Sequence, residues 1–261
     1  LDRLALLSPG RDTLGLDRIT ALLDRLGNPE TNLPPVFHVA GTNGKGSTCA
    51  FLRAAIEAAG LKAHVYTSPH LVRFNERIRV AGTLIEDNEL AALLAEVLDQ
   101  AEGIDPSFFE ATTAAALLAF SRTDADACVI EVGLGGRLDA TNVIERPLVT
   151  GIAHLGVDHE AFLGADIVGI AAEKAGIAKR GRPLVTQEYD KPLADSIARI
   201  AAANGAEWIS RGRDWRGAVY RGELHYRDHS KRLRLPLPKL PGDHQADNAL
   251  LAVAMLSHQQ A

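Results

Sequence analysis

Apolar residues along the first seventy positions alternate between a helical and a strand period. Five leucine and isoleucine side chains fall three or four residues apart over 16–26, which predicts a helix that ends at Gly27. An apolar run at 36–40 predicts a buried strand, residues 47–59 predict a helix, and 62–67 predict the next strand. We therefore expect a βαβ unit with a glycine-rich first turn, and such turns commonly carry phosphate sites.

The same alternation continues towards the end of the chain. Predicted helices cover 88–101, 110–121, 166–178, 191–204 and a last segment from about His244, and predicted strands cover 127–132, 147–153, 183–187 and 206–210. We expect Asp87 to be the N-cap of the helix at 88–101. The pattern is typical of an α/β protein with a mostly parallel sheet flanked by helices.

A different pattern begins near residue 211. Short alternating segments over 217–237 are broken at Gly222 and Asp228, which predicts a small antiparallel β segment near 207–237. This segment is rich in arginine, but acidic residues are interleaved with the basic ones. Charged strand faces in solvent therefore explain it better than a nucleic-acid site does.

Composition and charge limit the possible functions. The chain has 261 residues, 46% of them hydrophobic, and a net charge of −5, which argues against nucleic acid as its partner. No apolar run approaches the roughly 20 residues that span a bilayer, and no signal peptide is visible. Cys49 and Cys128 lie in apolar surroundings, so we expect buried thiols in a reducing cytoplasm. Both ends look cut, and we expect the chain to be part of a longer protein.

The strand at 36–40 is followed by the stretch "GTNGKGST" at 41–48. Glycines there let backbone N–H groups converge on phosphate oxygens, Lys45 supplies a positive charge, and Ser47 or Thr48 offers a hydroxyl to Mg²⁺. The stretch departs from the common phosphate loop because Gly46 separates the lysine from the hydroxyl residue. We favour a phosphate loop for ATP over the alternative, a glycine-rich turn with an exposed lysine.

A carboxylate lies near the end of the strand predicted at 127–132. Glu131 is followed by "VGLGGRLDATN", whose glycines miss the G-x-G-x-x-G spacing of dinucleotide sites because Leu138 takes the last position. A nicotinamide enzyme is therefore disfavoured. A buried carboxylate needs a partner, and the spacing leaves two with equal weight, a metal ion or a salt bridge to Arg137.

Three further regions carry candidate chemistry. Asp158 and His159 follow the strand predicted at 147–153, and both side chains can contact Mg²⁺. Lys174 lies near the end of a predicted helix, where the helix dipole alone would favour it. The tract at 67–78, "TSPHLVRFNERI", is predicted to be a loop that binds an acidic substrate or a metal, or is simply solvated.

Several motifs occur in one order along the chain: "HVAGTNGKGST", "YTSPHLVRFNERI", "VIEVGLGGRLDATN", "GVDHEAFLG" with "AAEKAGI", and "GDHQADNAL". Together they resemble the folylpolyglutamate synthase/dihydrofolate synthase family, within the Mur-type ATP-dependent amide ligases. The resemblance runs from about Leu14 to the end. It implies that 1–261 is a P-loop-containing ATP-binding (central) domain and that the family's C-terminal glutamate-ligase domain is absent from this chain.

The resemblance implies a reaction. ATP phosphorylates a carboxylate of dihydropteroate or of a folate glutamyl tail, and the amino group of L-glutamate then attacks the acyl phosphate. ATP and Mg²⁺ are the expected cofactors, and we expect a cytoplasmic monomer that acts on small molecules, binds neither nucleic acid nor membrane, and carries both ligase activities. The alternatives are a P-loop kinase or NTPase, which Gly46 and Lys174 argue against, and a non-catalytic nucleotide-binding fragment.

The resemblance also implies roles for individual residues. Those expected to bind ATP are Thr42, Asn43, Gly44, Lys45, Gly46 and Ser47 at the phosphates, with Gln245 and Asn248 near the adenine. The expected Mg²⁺ ligands are Ser68, Glu131 and His159. The expected pteroate contacts are Thr13, Leu14, Ser107, Phe109, Leu138, Asp139 and Ala140, with Phe109 either stacked on the pterin ring or buried in the core. Lys174 matches a lysine that this family carboxylates, and it completes the expected catalytic set with Glu131 and His159.

Overall fold

The computed structural model describes residues 14–156 and 166–259, together with Leu4 and Leu7. The strands of its large sheet are β1 (Val36–Ala40), β2 (Ala63–Tyr66), β3 (Ile78–Val80), β4 (Thr83–Leu84), β5 (Ala127–Glu131), β6 (Val149–Ile152), β7 (Pro183–Thr186) and β8 (Glu207–Ser210). Their order in space is β4-β3-β2-β5-β1-β6-β7-β8. The six strands that follow one another in space as β2-β5-β1-β6-β7-β8 are parallel to their neighbours. The strands β3 and β4 add an antiparallel edge beside β2. The predicted mostly parallel sheet is confirmed.

Helices cover both faces of this sheet. They are α1 (Asp17–Arg25), α2 (Lys45–Ala58), α3 (Asp87–Asp99), α4 (Phe108–Ser121), α5 (Ile167–Ala175), α6 (Lys191–Asn204) and α7 (His244–His258). Side chains of α1, α3 and α4 pack together with Val36 on one face, and those of α2 and α7 pack with Phe37 on the other. Every residue of β1, β5 and β6 is buried, as expected of central parallel strands with helices on both sides.

A second, smaller sheet lies beside α7. Its antiparallel strands are β9 (Arg216–Tyr220), β10 (Glu223–Arg227) and β11 (Arg232–Pro236), in the order β11-β10-β9. Leu224 and Tyr226 are buried in the cluster that contains α7, while the arginines of β9 and β11 are exposed. The predicted antiparallel segment is therefore present over 216–236, and residues 207–210 extend the large sheet instead.

Two local predictions were wrong. Asp87 does not cap α3 but lies in its first turn, after Glu86, because its carboxylate accepts hydrogen bonds from Asn75 Nδ2 and Arg73 Nη2. The tract predicted to be a loop over 67–78 contains a 3-10 helix, Phe74–Arg77, and leads into the β3–β4 hairpin.

The prediction that both cysteines are buried is confirmed. Cys49 and Cys128 are free and buried, and burial raises the pKa of both thiols. In the described ranges, no helix is both long and apolar enough to cross a membrane.

Candidate functional site

The phosphate-loop candidate connects β1 to α2 and is tied to the end of β6. Thr42 N and Asn43 N donate to the carbonyl oxygen of His154 at 2.8 and 3.2 Å, and Thr42 Oγ1 donates to Gly156 O at 2.9 Å. Gly44 takes a left-handed conformation, with φ of +82°, just before the first residue of α2. The first N–H groups of α2 lack intrahelical partners and are therefore available to an anion.

Lys45 and Glu131 bring opposite charges to this loop. Lys45 Nζ donates to Thr42 O at 3.2 Å. Glu131 lies at the end of β5, opposite Val39 of β1. A Cβ atom at Gly46 would come 3.5 Å from Glu131 Oε2, so the inserted glycine lies directly against the carboxylate.

Glu131 is buried, and no cationic side chain of the described residues forms a salt bridge with it. Only 4% of it is exposed, and one carboxylate oxygen accepts the backbone N–H of Ser68 at 3.2 Å. Burial raises its pKa to about 7, although the charge of Lys45 acts in the opposite direction. The salt bridge to Arg137 that spacing left open does not form, because Arg137 pairs with Glu173 at 2.8 Å.

The surroundings of Glu131 fit a bound cation. A buried carboxylate beside a phosphate loop favours a metal ion, and hydroxyl oxygens are suitable ligands. The hydroxyl of Thr48, in the first turn of α2, is buried without a hydrogen-bond partner in the described part of the chain. Within residues 14–156 and 166–259, no three acidic, histidine or cysteine side chains stand close enough to hold a metal. His159, the third predicted ligand, lies outside the described residues, as does Asp158.

Lys174 points towards the phosphate loop. Its exposure is 3%, and its Nζ donates to the carbonyl oxygen of Gly41 at 2.9 Å. A lysine favoured only by the helix dipole would extend into solvent, so this geometry does not fit that alternative. A Cβ at Gly136 would come 2.6 Å from Glu173 O, so the loop after β5 packs tightly on α5.

A cavity of about 650 Å³ connects the phosphate loop to the predicted substrate residues. Residues 42–46, Ser68 and Glu131 are among the residues that line it. The predicted substrate contacts that line it are Leu14, Ser107, Phe109, Leu138, Asp139 and Ala140. Thr13 lies outside the described residues. The structure thus brings together residues as far apart in sequence as Leu14 and Ala140.

Two of these substrate candidates are already hydrogen-bonded within the protein. The Ser107 hydroxyl accepts the N–H of Glu110 and caps α4. Asp139 accepts hydrogen bonds from Leu134 N at 2.8 Å and from Thr141 Oγ1 at 2.5 Å, so its carboxylate shapes the loop after β5. Burial raises its pKa.

Phe109 is partly packed in the protein interior and partly exposed to the cavity. Its ring is half-buried, packs against Gly133, where a Cβ would overlap with it, and lies 6.0 Å from the ring of Tyr66. Its remaining surface lines the cavity. A flat ligand lying against this ring would extend the aromatic packing.

The start of α7 lies over the phosphate loop. Asn248 occupies the place that a Cβ atom would take at Gly44, and its Nδ2 donates to Gln245 Oε1 at 3.1 Å. Asn248 and His154 also line a second cavity, of about 940 Å³, beside the small sheet. The predicted nucleotide residues therefore surround Gly44 from two elements that are distant in sequence.

Sequence reasoning missed several cavity residues. Arg18, which pairs with Glu110 at 3.0 Å, and Arg77 line the smaller cavity. Arg211 lines the larger one, where it contacts Asp247 at 2.6 Å and Gln187 at 3.0 Å. Arg77 belongs to the tract at 67–78 that the sequence marked as a possible site for an acidic substrate, whereas no sequence signal marks Arg18 or Arg211.

Comparison with known proteins identifies close relatives. A family model, the Mur ligase middle domain, matches residues 39–256. The chain is 39% identical over 244 residues to the dihydrofolate synthase/folylpolyglutamate synthase of Escherichia coli strain K12, covering 93% of this chain and 56% of that enzyme.

Solved structures give the same result. E. coli FolC in complex with DHPP and ADP matches with a TM-score of 0.91 at 38% identity, over 98% of this chain and 60% of that one. A bifunctional folylpolyglutamate synthase/dihydrofolate synthase with Mn, AMPPNP and L-glutamate bound matches with a TM-score of 0.88 at 38% identity, over 99% of this chain and 61% of that one. The chain thus spans about three-fifths of the length of these relatives.

Proposed function

Because the chain belongs to the Mur ligase middle domain family, we propose that residues 1–261 are the ATP-binding domain of a glutamate ligase. The enzyme would phosphorylate a carboxylate of dihydropteroate or of a folate glutamyl tail with ATP. The amino group of L-glutamate would then displace the phosphate and form an amide. We infer that both activities belong to one bifunctional enzyme, as in the E. coli relative by its name.

One observation carries this proposal. The smaller cavity is lined by the phosphate loop, by the buried Glu131 carboxylate and by the half-buried Phe109 ring. A nucleotide phosphate and a flat aromatic acid could therefore approach each other inside a single space. Such positioning is the main contribution that a protein makes to phosphoryl transfer.

The residues of the loop support ATP binding. N–H groups at the start of α2 and the Lys45 ammonium would bind the phosphates, and Asn248 would limit where the nucleotide lies above Gly44. His154 O fixes the loop by accepting from Thr42 N and Asn43 N. The loop is thus pre-shaped, and little conformational freedom would be lost on binding.

Ser68 and Glu131 are the described residues that would hold Mg²⁺, and His159 is the remaining candidate. When bound, the metal would neutralise charge on the phosphates and on the oxygen that leaves. Glu131 is already oriented by the N–H of Ser68. Its burial excludes water from the carboxylate, which strengthens its attraction for a cation.

Lys174 is proposed as the carboxylated lysine. Its nitrogen is buried and donates to the Gly41 carbonyl oxygen of the phosphate loop. A carbamate on this nitrogen would replace a positive charge by a negative one beside the loop. ¹³C NMR of the chain in ¹³C-bicarbonate should show a carbamate resonance that a Lys174→Arg variant lacks.

The proposal predicts two separable binding events. Calorimetric titration of the chain with AMPPNP and Mg²⁺, and separately with dihydropteroate, should give one site each. Lys45→Met should weaken only the nucleotide, whereas Phe109→Leu, which keeps apolar volume but removes the ring, should weaken only dihydropteroate. Nucleotide binding with no affinity for dihydropteroate or folates would instead favour a kinase or NTPase.

Cellular location, oligomeric state and partners belong to the same proposal. We infer that the protein acts in the cytoplasm as a monomer and that nucleic acid is not its partner. The net charge of −5 supports the last point. Analytical ultracentrifugation with and without nucleotide would test the monomer.

A further inference from the structure

Three cationic side chains of the described residues line the smaller cavity, and their charges have different neighbours. Lys45 belongs to the phosphate loop and donates to Thr42 O. Arg18 is ion-paired with Glu110 at 3.0 Å. Arg77 is the most deeply buried of the arginines that the structure describes, with 8% exposure, yet no carboxylate in that part of the chain lies within salt-bridge distance of it.

Neighbouring groups hold the Arg77 side chain in one orientation. Its Nε donates to His70 Nδ1 at 2.8 Å. Its guanidinium carbon lies 5.5 Å from the centre of the Phe74 ring and 5.4 Å from that of Phe108. The backbone is fixed as well, because Thr67 N donates to Arg77 O at 3.0 Å.

This arrangement leaves both Nη groups of the guanidinium available to a ligand. Among the described residues, only Nε has a hydrogen-bond partner, so neither Nη group is engaged. Arginine is rarely this buried without an anion, because removing its charge from water is costly unless it is paired. The uncommitted groups belong to a residue that lines the cavity, where a ligand would meet them.

We propose that Arg77 binds the carboxylate of the pteroate or folate substrate, with its two Nη groups donating to the two carboxylate oxygens. This inference rests on the proposed function and adds a residue to it. The planar guanidinium matches a carboxylate in two parallel hydrogen bonds. Phe109 lies in the same cavity and can meet the aromatic part of the same molecule.

Arg77 would thereby orient the group that reacts. With the acid fixed at Arg77, its carboxylate lies in the cavity that also contains Lys45 and Glu131. The alternative is that Arg77 only packs between Phe74 and Phe108. Only the substrate role makes binding depend on whether the ligand carries a carboxylate.

The test compares an acid with its ester. We would measure binding of 7,8-dihydropteroate and of its methyl ester to the chain with AMPPNP and Mg²⁺ present, for the wild type, Arg77→Gln and Arg77→Lys. The wild type should prefer the acid by about tenfold or more, the scale of a charge-assisted pair. Arg77→Gln should lose that preference and bind the ester as the wild type does, and Arg77→Lys should keep part of it.

Arg73→Gln is the matched control. Arg73 lies four residues earlier in the same tract, its side chain is 66% exposed, and it pairs with Asp87. It should keep the full preference for the acid. Thermal unfolding of each variant reports folding separately, and a poorly folded Arg77→Gln leaves the graded result for Arg77→Lys to decide.

The outcomes separate this inference from the proposed function. A wild type that binds neither compound overturns the proposed function and this role with it. A wild type that binds acid and ester equally, or an Arg77→Gln variant that keeps the preference, overturns the role of Arg77 alone.

Discussion

Glu131 is deeply buried, and no arginine or lysine in the described ranges forms a salt bridge with its carboxylate. Replacing it by glutamine removes the cost of keeping this charge away from water. We predict that Glu131→Gln makes the metal-free chain more stable at pH 8, by on the order of 1–3 kcal/mol. The same change should abolish the gain in AMPPNP affinity that Mg²⁺ provides.

Urea unfolding in EDTA and AMPPNP titrations with and without Mg²⁺ would measure the two effects. Glu102→Gln, at an exposed position, should change neither. The two effects have opposite signs, so a simple loss of folding cannot imitate them. If the Mg²⁺ effect survives in Glu131→Gln, this carboxylate is not a metal ligand.

His38 links the core of β1 to the loop after β5. It is fully buried, and its Nε2 lies 2.8 Å from Thr141 Oγ1, which itself donates to Asp139. Burial, with a smaller effect of Lys179, lowers the pKa of His38 to about 3. The unfolded chain binds this proton more tightly, so His38 contributes its full stability above about pH 6.5 and less as the pH falls towards 3.

We therefore predict that His38→Gln reduces acid sensitivity. Between pH 7.5 and pH 5, the wild type should lose about 2 kcal/mol more of its free energy of unfolding than the variant does. Urea unfolding at both values measures the difference. His229→Gln, at an exposed histidine, should behave like the wild type, and parallel losses in His38→Gln and the wild type would contradict the prediction.

At the scale of elements, two glycines with nearly equal φ angles flank α2. Gly44, before its first residue, has φ of +82°, and Gly60, just past its end, has φ of +79°. A Cβ at Gly44 would overlap with Asn248 of α7, whereas one at Gly60 would meet nothing within 4 Å. Alanine at either site incurs the left-handed strain, of about 1 kcal/mol, but only Gly44→Ala also displaces Asn248.

We predict that Gly44→Ala destabilises the chain by about 1–3 kcal/mol more than Gly60→Ala does. Chemical denaturation of both variants measures the excess. Gly44→Ala combined with Asn248→Ala should recover most of it, since the smaller side chain makes room. An excess that persists in the double variant would show that the α2–α7 contact is not its source.

The elements themselves could largely be predicted from the sequence, for reasons that also explain the failures. β1 and β5 are continuous apolar runs, and α1 shows a clean helical period. The strands β3 and β4 are too short to show a period, and Thr83 and Leu84 are exposed. The sequence also could not decide whether Glu131 pairs with Arg137. That depends on the loop after β5, which turns Arg137 towards Glu173 of α5.

At the scale of the whole molecule, the sequence identified many residues that line the smaller cavity, but not how the fold brings them together. Parallel strands end at one edge of the sheet, so residues 41–48 and Glu131 were expected near each other. The resemblance names Phe109 as a pteroate contact, but no pattern in the sequence shows that its ring, at the start of α4, lines the same cavity. Nor does any pattern show that Arg77 is buried, because burial results from packing between Phe74 and Phe108.

The chain covers 56% of the length of its E. coli relative. Asn248 lies against Gly44 of the phosphate loop, and it also lines a cavity of about 940 Å³. Ligation requires exclusion of water from an acyl phosphate and a fixed position for glutamate. We therefore predict that residues 1–261 bind AMPPNP. They should form dihydrofolate from dihydropteroate, ATP and L-glutamate at least about 100-fold more slowly than the E. coli enzyme does. A rate loss of this size is what poor positioning of the reactants produces. Mass-spectrometric assay of product at equal protein concentrations measures this ratio. Turnover equal to that of the full-length relative would mean that this chain alone contains a complete ligase site.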